Sequence, residues 1–180
     1  AATQDRLPTA NGDNAAWTAN GCTETTGEFN CVNDSSDTTY LSETTTGDAE
    51  TFEYTDFSVS STSITNIQVT FRCRWVDDGG GDGIAMRAIV KVSGTQYTID
   101  NIALTTSWVN YTSTWSNNPN TSSAWTEAGV EGTTLQQFGF KPQTIGAGEH
   151  AECSEASITV TYVPVSTQNK TLSFPVEDWE

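Results

Sequence analysis

The sequence is short of basic residues, of methionine and histidine, and of long apolar runs. Seven Lys and Arg residues stand against 23 Asp and Glu residues in 180, which gives a formal net charge of -16. Such a chain repels the phosphates of nucleic acids and of anionic membrane surfaces. It also has no apolar run of the roughly 20 residues that a transmembrane helix needs. We therefore expect neither nucleic acid nor a membrane as a partner.

The sequence also lacks a pattern of catalytic residues. Its one histidine, His150, is accompanied by neither a nucleophile motif nor a cluster of metal-ligating residues. Carboxylate pairs are easy to find among so many acidic residues, and their abundance does not single out an active site. We predict a protein that is not an enzyme and has no cofactor apart from the calcium ion considered below, with His150 as a surface residue in a loop.

The chain does contain alternating apolar and polar residues. The stretch ITNIQVTFRCRW, residues 64–75, has the period of two that a strand with one buried face requires. A turn of glycines and aspartates follows, and residues 84–92 alternate in the same way, which predicts a hairpin. The inward positions of the central strand are Ile67, Val69, Phe71, Cys73 and Trp75.

Strands of this kind recur at short spacing without any helical period. The sequence therefore predicts an all-β fold, a jelly-roll-like antiparallel β-sandwich with extended N- and C-terminal segments. We place an N-terminal arm at residues 1–14, the sandwich at residues 15–163 and a C-terminal extension at residues 164–180.

Four cysteines indicate an extracellular, secreted protein, with Ala1 as the expected mature end. Cys22 and Cys31 are close in sequence, which leaves Cys73 and Cys153 to join two distant strands. A zinc site is the competing interpretation, but the spacing has no CxxC pair. We predict the disulfides Cys22–Cys31 and Cys73–Cys153.

The turn after the central strand carries Asp77, Asp78 and Asp82, whose carboxylates are the hard oxygen ligands that calcium prefers. An acidic, solvated turn explains the same residues. The spacing does not match an EF-hand, since Ile89 stands where the bidentate glutamate belongs. The sequence also contains four N-x-Ser/Thr sequons, which are candidate glycosylation sites: Asn33, Asn110, Asn120 and Asn169.

Six tryptophans allow a binding surface for carbohydrate, because sugar-binding jelly rolls use exposed aromatic rings. We assign three to the core or to loop anchoring (Trp75, Trp108 and Trp125) and leave three open (Trp17, Trp115 and Trp179). A carbohydrate-binding or adhesive module is one functional hypothesis.

The C-terminal extension leads to a second hypothesis. Residues 171–176, TLSFPV, place Leu172, Phe174 and Val176 on one side of a short strand that follows the end of the predicted sandwich. This segment folds back on its own domain or adds to a sheet of the next copy. The acidic end around Trp179 is expected to dock on a basic stripe of the predicted hairpin formed by Arg72, Arg74, Arg87 and Lys91. The alternative is that the stripe pairs with acidic residues of its own chain.

The sequence also contains a loop of the form Asn-Pro-x-Thr-x-x-x-Trp-Thr. The matching residues are Asn118, Pro119, Thr121, Trp125 and Thr126. Over residues 30–163 the chain resembles a jelly-roll domain of environmental and phage surface proteins, and the protomer of secreted homopolymeric fibrils found in freshwater samples. The resemblance implies a structural subunit of an extracellular filament, and the C-terminal segment at residues 171–176 predicts that the subunits assemble head to tail through a donated terminal segment. The alternative is a carbohydrate-binding or adhesive module, including a phage virion decoration.

Overall fold

The protein is described by a computed structural model over residues 1–22 and 27–166. Nearly all regular structure in this part of the chain is β-strand, with a short 3-10 helix at Glu28–Cys31 and a four-residue α-helix, α1, at Glu127–Val130. The strands are β1 (Ala2–Arg6), β2 (Pro8–Ala15), β3 (Thr18–Asn20), β4 (Tyr40–Glu43), β5 (Glu50–Tyr54), β6 (Ser61–Asp77), β7 (Ile84–Val92), β8 (Thr95–Ala103), β9 (Val109–Trp115), β10 (Asn117–Asn118), β11 (Ser123–Ala124), β12 (Leu135–Ile145) and β13 (Glu149–Pro164).

Two antiparallel sheets face each other. The first sheet has the order β3-β4-β13-β6-β9, with β1 also paired to β13, and the second has the order β2-β5-β12-β7-β8. The predicted all-β, jelly-roll-like sandwich is confirmed. Within the described residues, no helix has the length and apolar character needed to span a membrane.

The core lies between the two sheets. The alternation in β6 buries Ile67, Val69 and Phe71 completely, as the sequence predicts. Phe71 from the first sheet meets Phe140 from the second with ring centroids 5.8 Å apart. Aromatic contacts of this kind join the two layers and bury large apolar areas.

The predicted hairpin between β6 and β7 is wrong. β6 pairs with β13 and β9 in the first sheet, whereas β7 pairs with β12 and β8 in the second. The alternation of apolar and polar residues indicates that each strand has one buried face. It does not indicate whether two such strands lie in the same sheet. The glycine-rich connection instead carries the chain from one layer to the other.

The predicted N-terminal arm also takes a different form. β1 pairs with β13 in the first sheet and β2 pairs with β5 in the second, so residues 2–15 extend both sheets. Their side chains are mostly polar because both strands lie towards the outside of the sandwich. Backbone hydrogen bonding, which carries no apolar periodicity, holds them there.

β13 is longer than its sequence pattern indicates, since it begins at Glu149 rather than near Ile158. A bulge between Cys153 and Glu155 shifts the register against β6. Buried positions therefore change from odd to even numbers, and Ser154 is buried as well. This change of phase hides the first half of the strand from a search for simple alternation.

Both predicted disulfides are present. Cys73 and Cys153 lie opposite each other on β6 and β13, with Cα atoms 4.1 Å apart. Cys22 and Cys31 close the short loop, with Cα atoms 5.5 Å apart. The first bond ties the central strand to the last strand of the sandwich.

Candidate functional site

A row of polar side chains crosses the outer face of the first sheet. Thr18 pairs with Ser42, Ser42 with Glu152, and Glu152 with Arg74, so four strands contribute one residue each. Alternation directs these side chains away from the core. The row brings together residues that are far apart in the sequence.

Glu152 lies at the centre of this row. Its side chain is only 4% exposed, and its carboxylate accepts a hydrogen bond from Arg74 Nε at 2.6 Å. The second carboxylate oxygen lies 3.2 Å from His150 Nε2. Burial raises the pKa of the Tyr40 hydroxyl above its ordinary value, and the neighbouring Glu152 carboxylate raises it further. The buried charge is therefore held by several polar partners, as a carboxylate removed from water requires.

Two aromatic rings lie beside the carboxylate. The rings of Tyr40 and Trp108 are half-buried, with centroids 6.0 Å apart and planes at 57°. The Arg74 guanidinium carbon lies 4.7 Å from the Trp108 ring centroid, within the range of a cation–π contact. The same Arg74 thus fixes the Trp108 ring and neutralises Glu152. We name Tyr40, Arg74, Trp108, His150 and Glu152 the aromatic–acidic cluster.

An open groove of about 250 Å³ adjoins the cluster through His150. Its other walls are Thr18, Ser42, Glu43 and Thr44, which offer hydroxyl and carboxylate groups. Glu43 Oε1 is held by the backbone N–H groups of Thr44 at 2.7 Å and of Thr45 at 2.6 Å. Rings, hydroxyls and positioned charges side by side provide contacts for a ligand that has both apolar faces and hydroxyl groups.

The three aspartates predicted to bind calcium have different surroundings. Asp77 Oδ1 accepts from the backbone N–H of Gly79 at 2.8 Å, and Asp78 Oδ2 lies 2.7 Å from His150 Nδ1. Asp82 is exposed at the far end of the connection. Within residues 1–22 and 27–166 there is no group of three or more His, Cys, Asp or Glu side chains arranged to hold a metal ion. Calcium binding stays a prediction.

The predicted basic stripe is wrong, because its members lie on opposite faces of the sandwich. Arg72 and Arg74 are on the outer face of the first sheet, and Arg87 and Lys91 are on β7 in the second. Three of the four pair with acidic groups of the chain itself: Arg72 with Asp37 at 2.8 Å, Arg74 with Glu152 and Lys91 with Asp13. The error follows from the incorrect hairpin. The other residues predicted to act in assembly, Leu172, Phe174, Val176 and Trp179, lie outside the described residues.

The sequons differ in accessibility. Asn110 and Asn120 are exposed, although Asn120 Oδ1 accepts a hydrogen bond from the Tyr97 hydroxyl at 2.7 Å. Asn33 is half-buried and its amide donates to Pro8 O at 3.3 Å. Asn169 lies outside the described residues. Glycosylation stays a prediction.

Sequence reasoning missed most of the aromatic–acidic cluster. His150 lies on β13 rather than in a loop, and Trp108 contacts Arg74 at the surface rather than the core. Trp17 and Trp115, which the sequence left open, are buried. One signal was available: Glu152 and Arg74 flank the two half-cystines, so the predicted disulfide places these opposite charges on adjacent strands.

No protein-family model matches the sequence, and a comparison with curated proteins finds no match. Among solved structures, the xylan-binding domain CBM22-1 of Paenibacillus barcinonensis Xyn10C is 12% identical with a TM-score of 0.46, covering 91% of this chain and 95% of that one. The xylan-binding module CBM15 is 10% identical with a TM-score of 0.49, covering 90% and 92%. A carbohydrate-binding module of family 29 is 9% identical with a TM-score of 0.44, covering 88% and 90%. Likenesses at this level do not decide a function, which has to be argued from the residues of this chain.

Proposed function

We propose that the protein is a non-catalytic extracellular module that binds carbohydrate at the aromatic–acidic cluster. The observation that carries the proposal is the Tyr40–Trp108 pair beside a groove lined by hydroxyl and carboxylate groups. A sugar has apolar C–H faces that stack on aromatic rings and hydroxyl groups that hydrogen-bond to polar side chains. A site for it therefore needs both kinds of contact within a few ångströms.

The electrostatics of the cluster also favour a neutral, hydroxyl-rich ligand. Glu152 is paired with Arg74, so its buried charge is offset by an adjacent cation and its oxygens are held in a defined orientation. The chain as a whole carries a formal charge of -16, which disfavours anionic ligands such as phosphates and acidic polysaccharides. Two disulfides support an oxidising, extracellular setting.

Trp108→Ala tests the proposal. The native protein is titrated by calorimetry, or run in affinity electrophoresis, against a panel of soluble neutral polysaccharides that includes xylan, β-glucan and mannan. The substitution removes the ring on which a sugar stacks, and we expect binding to weaken at least about tenfold, the equivalent of about 1.4 kcal/mol.

Val109→Ala is the matched control for that experiment. Val109 adjoins Trp108 and is 38% exposed, yet it lies outside the cluster, so its truncation is expected to leave the affinity unchanged. Equal affinities for native protein and Trp108→Ala would show that the ligand binds elsewhere. If the native protein binds none of the neutral polysaccharides in the panel, the proposed function is wrong.

A second candidate function is that of a structural subunit in an extracellular homopolymeric filament, assembled head to tail through a donated terminal segment. The basic stripe no longer supports it. One specific observation does favour it: β6 extends beyond the end of β9 and leaves a sheet edge without a strand partner among the described residues. Such an edge is a template on which another strand adds.

A further inference from the structure

One stretch of β6, six residues long, extends beyond the end of β9 and forms an open edge. β6 pairs with β13 from Ser61 onwards, whereas β9 pairs with β6 only from Ile67 to Cys73. Within the part of the chain that the structure describes, residues 61–66 thus have a strand on one side only. The backbone N–H and C=O groups on the other side are available to an added strand.

A groove of about 520 Å³ runs along this edge, between residues 61–64 of β6 and residues 124–128 of the loop that ends in α1. Ile64 and Trp125 in its wall are 6% and 3% exposed, while the small side chains of Ala124 and Ala128 are exposed at its rim. The groove therefore combines an unpaired strand edge with adjacent apolar surface. These are the two features that strand addition uses for affinity and for specificity.

The wall opposite β6 is held in place by its own hydrogen bonds. Trp125 Nε1 donates to Trp115 O at 2.9 Å, and the Thr126 hydroxyl accepts from Gly129 N at 3.1 Å at the start of α1. A site that is already formed before binding spends little free energy on ordering itself. This gives a physical role to the Trp-Thr end of the loop noted in the sequence.

Glu127 protects the edge. Its carboxylate accepts a hydrogen bond from the backbone N–H of Ser61, which is the first residue of the open stretch. A charged side chain on an exposed edge prevents indiscriminate pairing with other strands. A specific incoming strand replaces this contact with backbone hydrogen bonds and with apolar contacts to the groove.

We propose that this groove is the acceptor site for residues 171–176 of a second copy of the chain; the inference rests on the filament as the second candidate function. The donated segment has six residues, as many as the open edge, and its alternate residues Leu172, Phe174 and Val176 share one side. Pro175 has no N–H, so the segment is suited to pairing along one side only. A strand added at the edge of a sheet pairs along one side only, so the missing N–H of Pro175 is compatible with that position.

The path of the chain favours a second copy over the protomer's own tail. Val165 N donates to Ser60 O at 3.1 Å, so the described chain ends next to the beginning of β6 on the side of β13, away from the groove. Val59, just before this point, is buried and donates to Glu131 Oε1 at 3.3 Å. The segment that enters β6 thus lies across the direct route from one side of β6 to the other.

Strand direction points the same way. The protomer's own tail would start at the Ser61 end of β6 and run parallel to it, whereas every strand pair in the first sheet is antiparallel over the described residues. A segment donated by another copy is not tied to the end of this β13, so it is free to pair with β6 in the antiparallel direction.

Ala128→Arg tests the acceptor site in the full-length chain. It places a long charged side chain in the mouth of the groove, and we expect the concentration needed for association, measured by mass photometry and sedimentation velocity, to rise at least about tenfold. Ala103→Arg is the matched control, because Ala103 is an exposed alanine at the end of β8 in the other sheet. It is expected to associate as the native chain does.

A peptide of residues 167–180 gives a second readout that needs no variant of the acceptor. Added in excess to the native chain, it should occupy the grooves and shorten the assemblies, whereas the same peptide with Phe174→Ser should not. If Ala128→Arg assembles like the native chain and the peptide has no effect, the acceptor site is wrong while the filament function stands. If the native chain stays monomeric at the highest concentration reached, both are wrong.

Discussion

Glu50 makes the stability of the protein depend on pH in a direction opposite to that of most carboxylates. This residue at the start of β5 is fully buried, and its Oε2 accepts from the backbone N–H of Trp17 at 3.1 Å. Its Oε1 is also buried and has no hydrogen-bond partner among the described residues. Burial, assisted by the charges of Glu28 and Glu43, raises the pKa of Glu50 from 4.5 to about 8.

The sign of the effect follows from proton binding. Between pH 4.5 and about 8 the folded chain keeps a proton on Glu50 that the unfolded chain has released. Stability therefore falls as the pH rises through this window, by about 1.4 kcal/mol per pH unit. The loss totals about 5 kcal/mol and stops above the folded-state pKa.

Glu50→Gln removes the titration and keeps an oxygen that accepts from Trp17. We expect the free energy of unfolding of the variant, minus that of the native protein, to be close to zero at low pH and to rise with a slope of about 1.4 kcal/mol per pH unit to a plateau above pH 8. Titrating groups that do not interact with Glu50 are common to both proteins, so their contributions cancel in the difference.

Urea unfolding followed by tryptophan fluorescence between pH 5 and pH 9 measures this difference. Glu53→Gln, on the exposed face of the same strand, is the control for the chemical change itself, because it replaces the same side chain outside the core. A flat difference curve for Glu50→Gln, or one that falls with rising pH, would refute the reasoning.

Two further predictions concern the disulfides and calcium. Replacing Cys73 and Cys153 by alanine opens a link that spans 80 positions and should lower the free energy of unfolding by about 4.5 kcal/mol in the chain-entropy model, against about 2.7 kcal/mol for the Cys22–Cys31 link, which spans 9 positions. Chemical denaturation of the two double variants checks the order, which an equal loss would contradict. If calcium binds the aspartate-rich connection, a chelator should lower the melting temperature and added calcium should restore it, because a ligand that binds only the folded state stabilises it by mass action. A melting curve that the chelator leaves unchanged favours the interpretation as an acidic, solvated turn.

The fold class, the central strand and its buried face could all be predicted from the order of the residues. Ile67, Val69 and Phe71 are buried as their alternation predicts, because a one-residue slip of the register would place Arg72 and Arg74 in the core. Alternation is a property of a short stretch of sequence, and the number and spacing of the cysteines are visible in the sequence directly. Both can be interpreted without knowing which strands are neighbours.

Which strands share a sheet, and therefore which side chains meet in the candidate sites, follows only from the three-dimensional arrangement of the strands. Nothing in the pattern of β6 and β7 shows that the glycine-rich connection crosses from one layer to the other, so the four basic residues were grouped wrongly. The bulge in β13 reversed the phase of alternation and concealed the strand on which His150 and Glu152 lie. Four residues that are distant in sequence become neighbours only because their strands pair: Thr18, Ser42, Glu152 and Arg74. The backbone hydrogen bonds that join these strands are made by every residue type, so they leave no pattern in the sequence from which the pairing could be predicted.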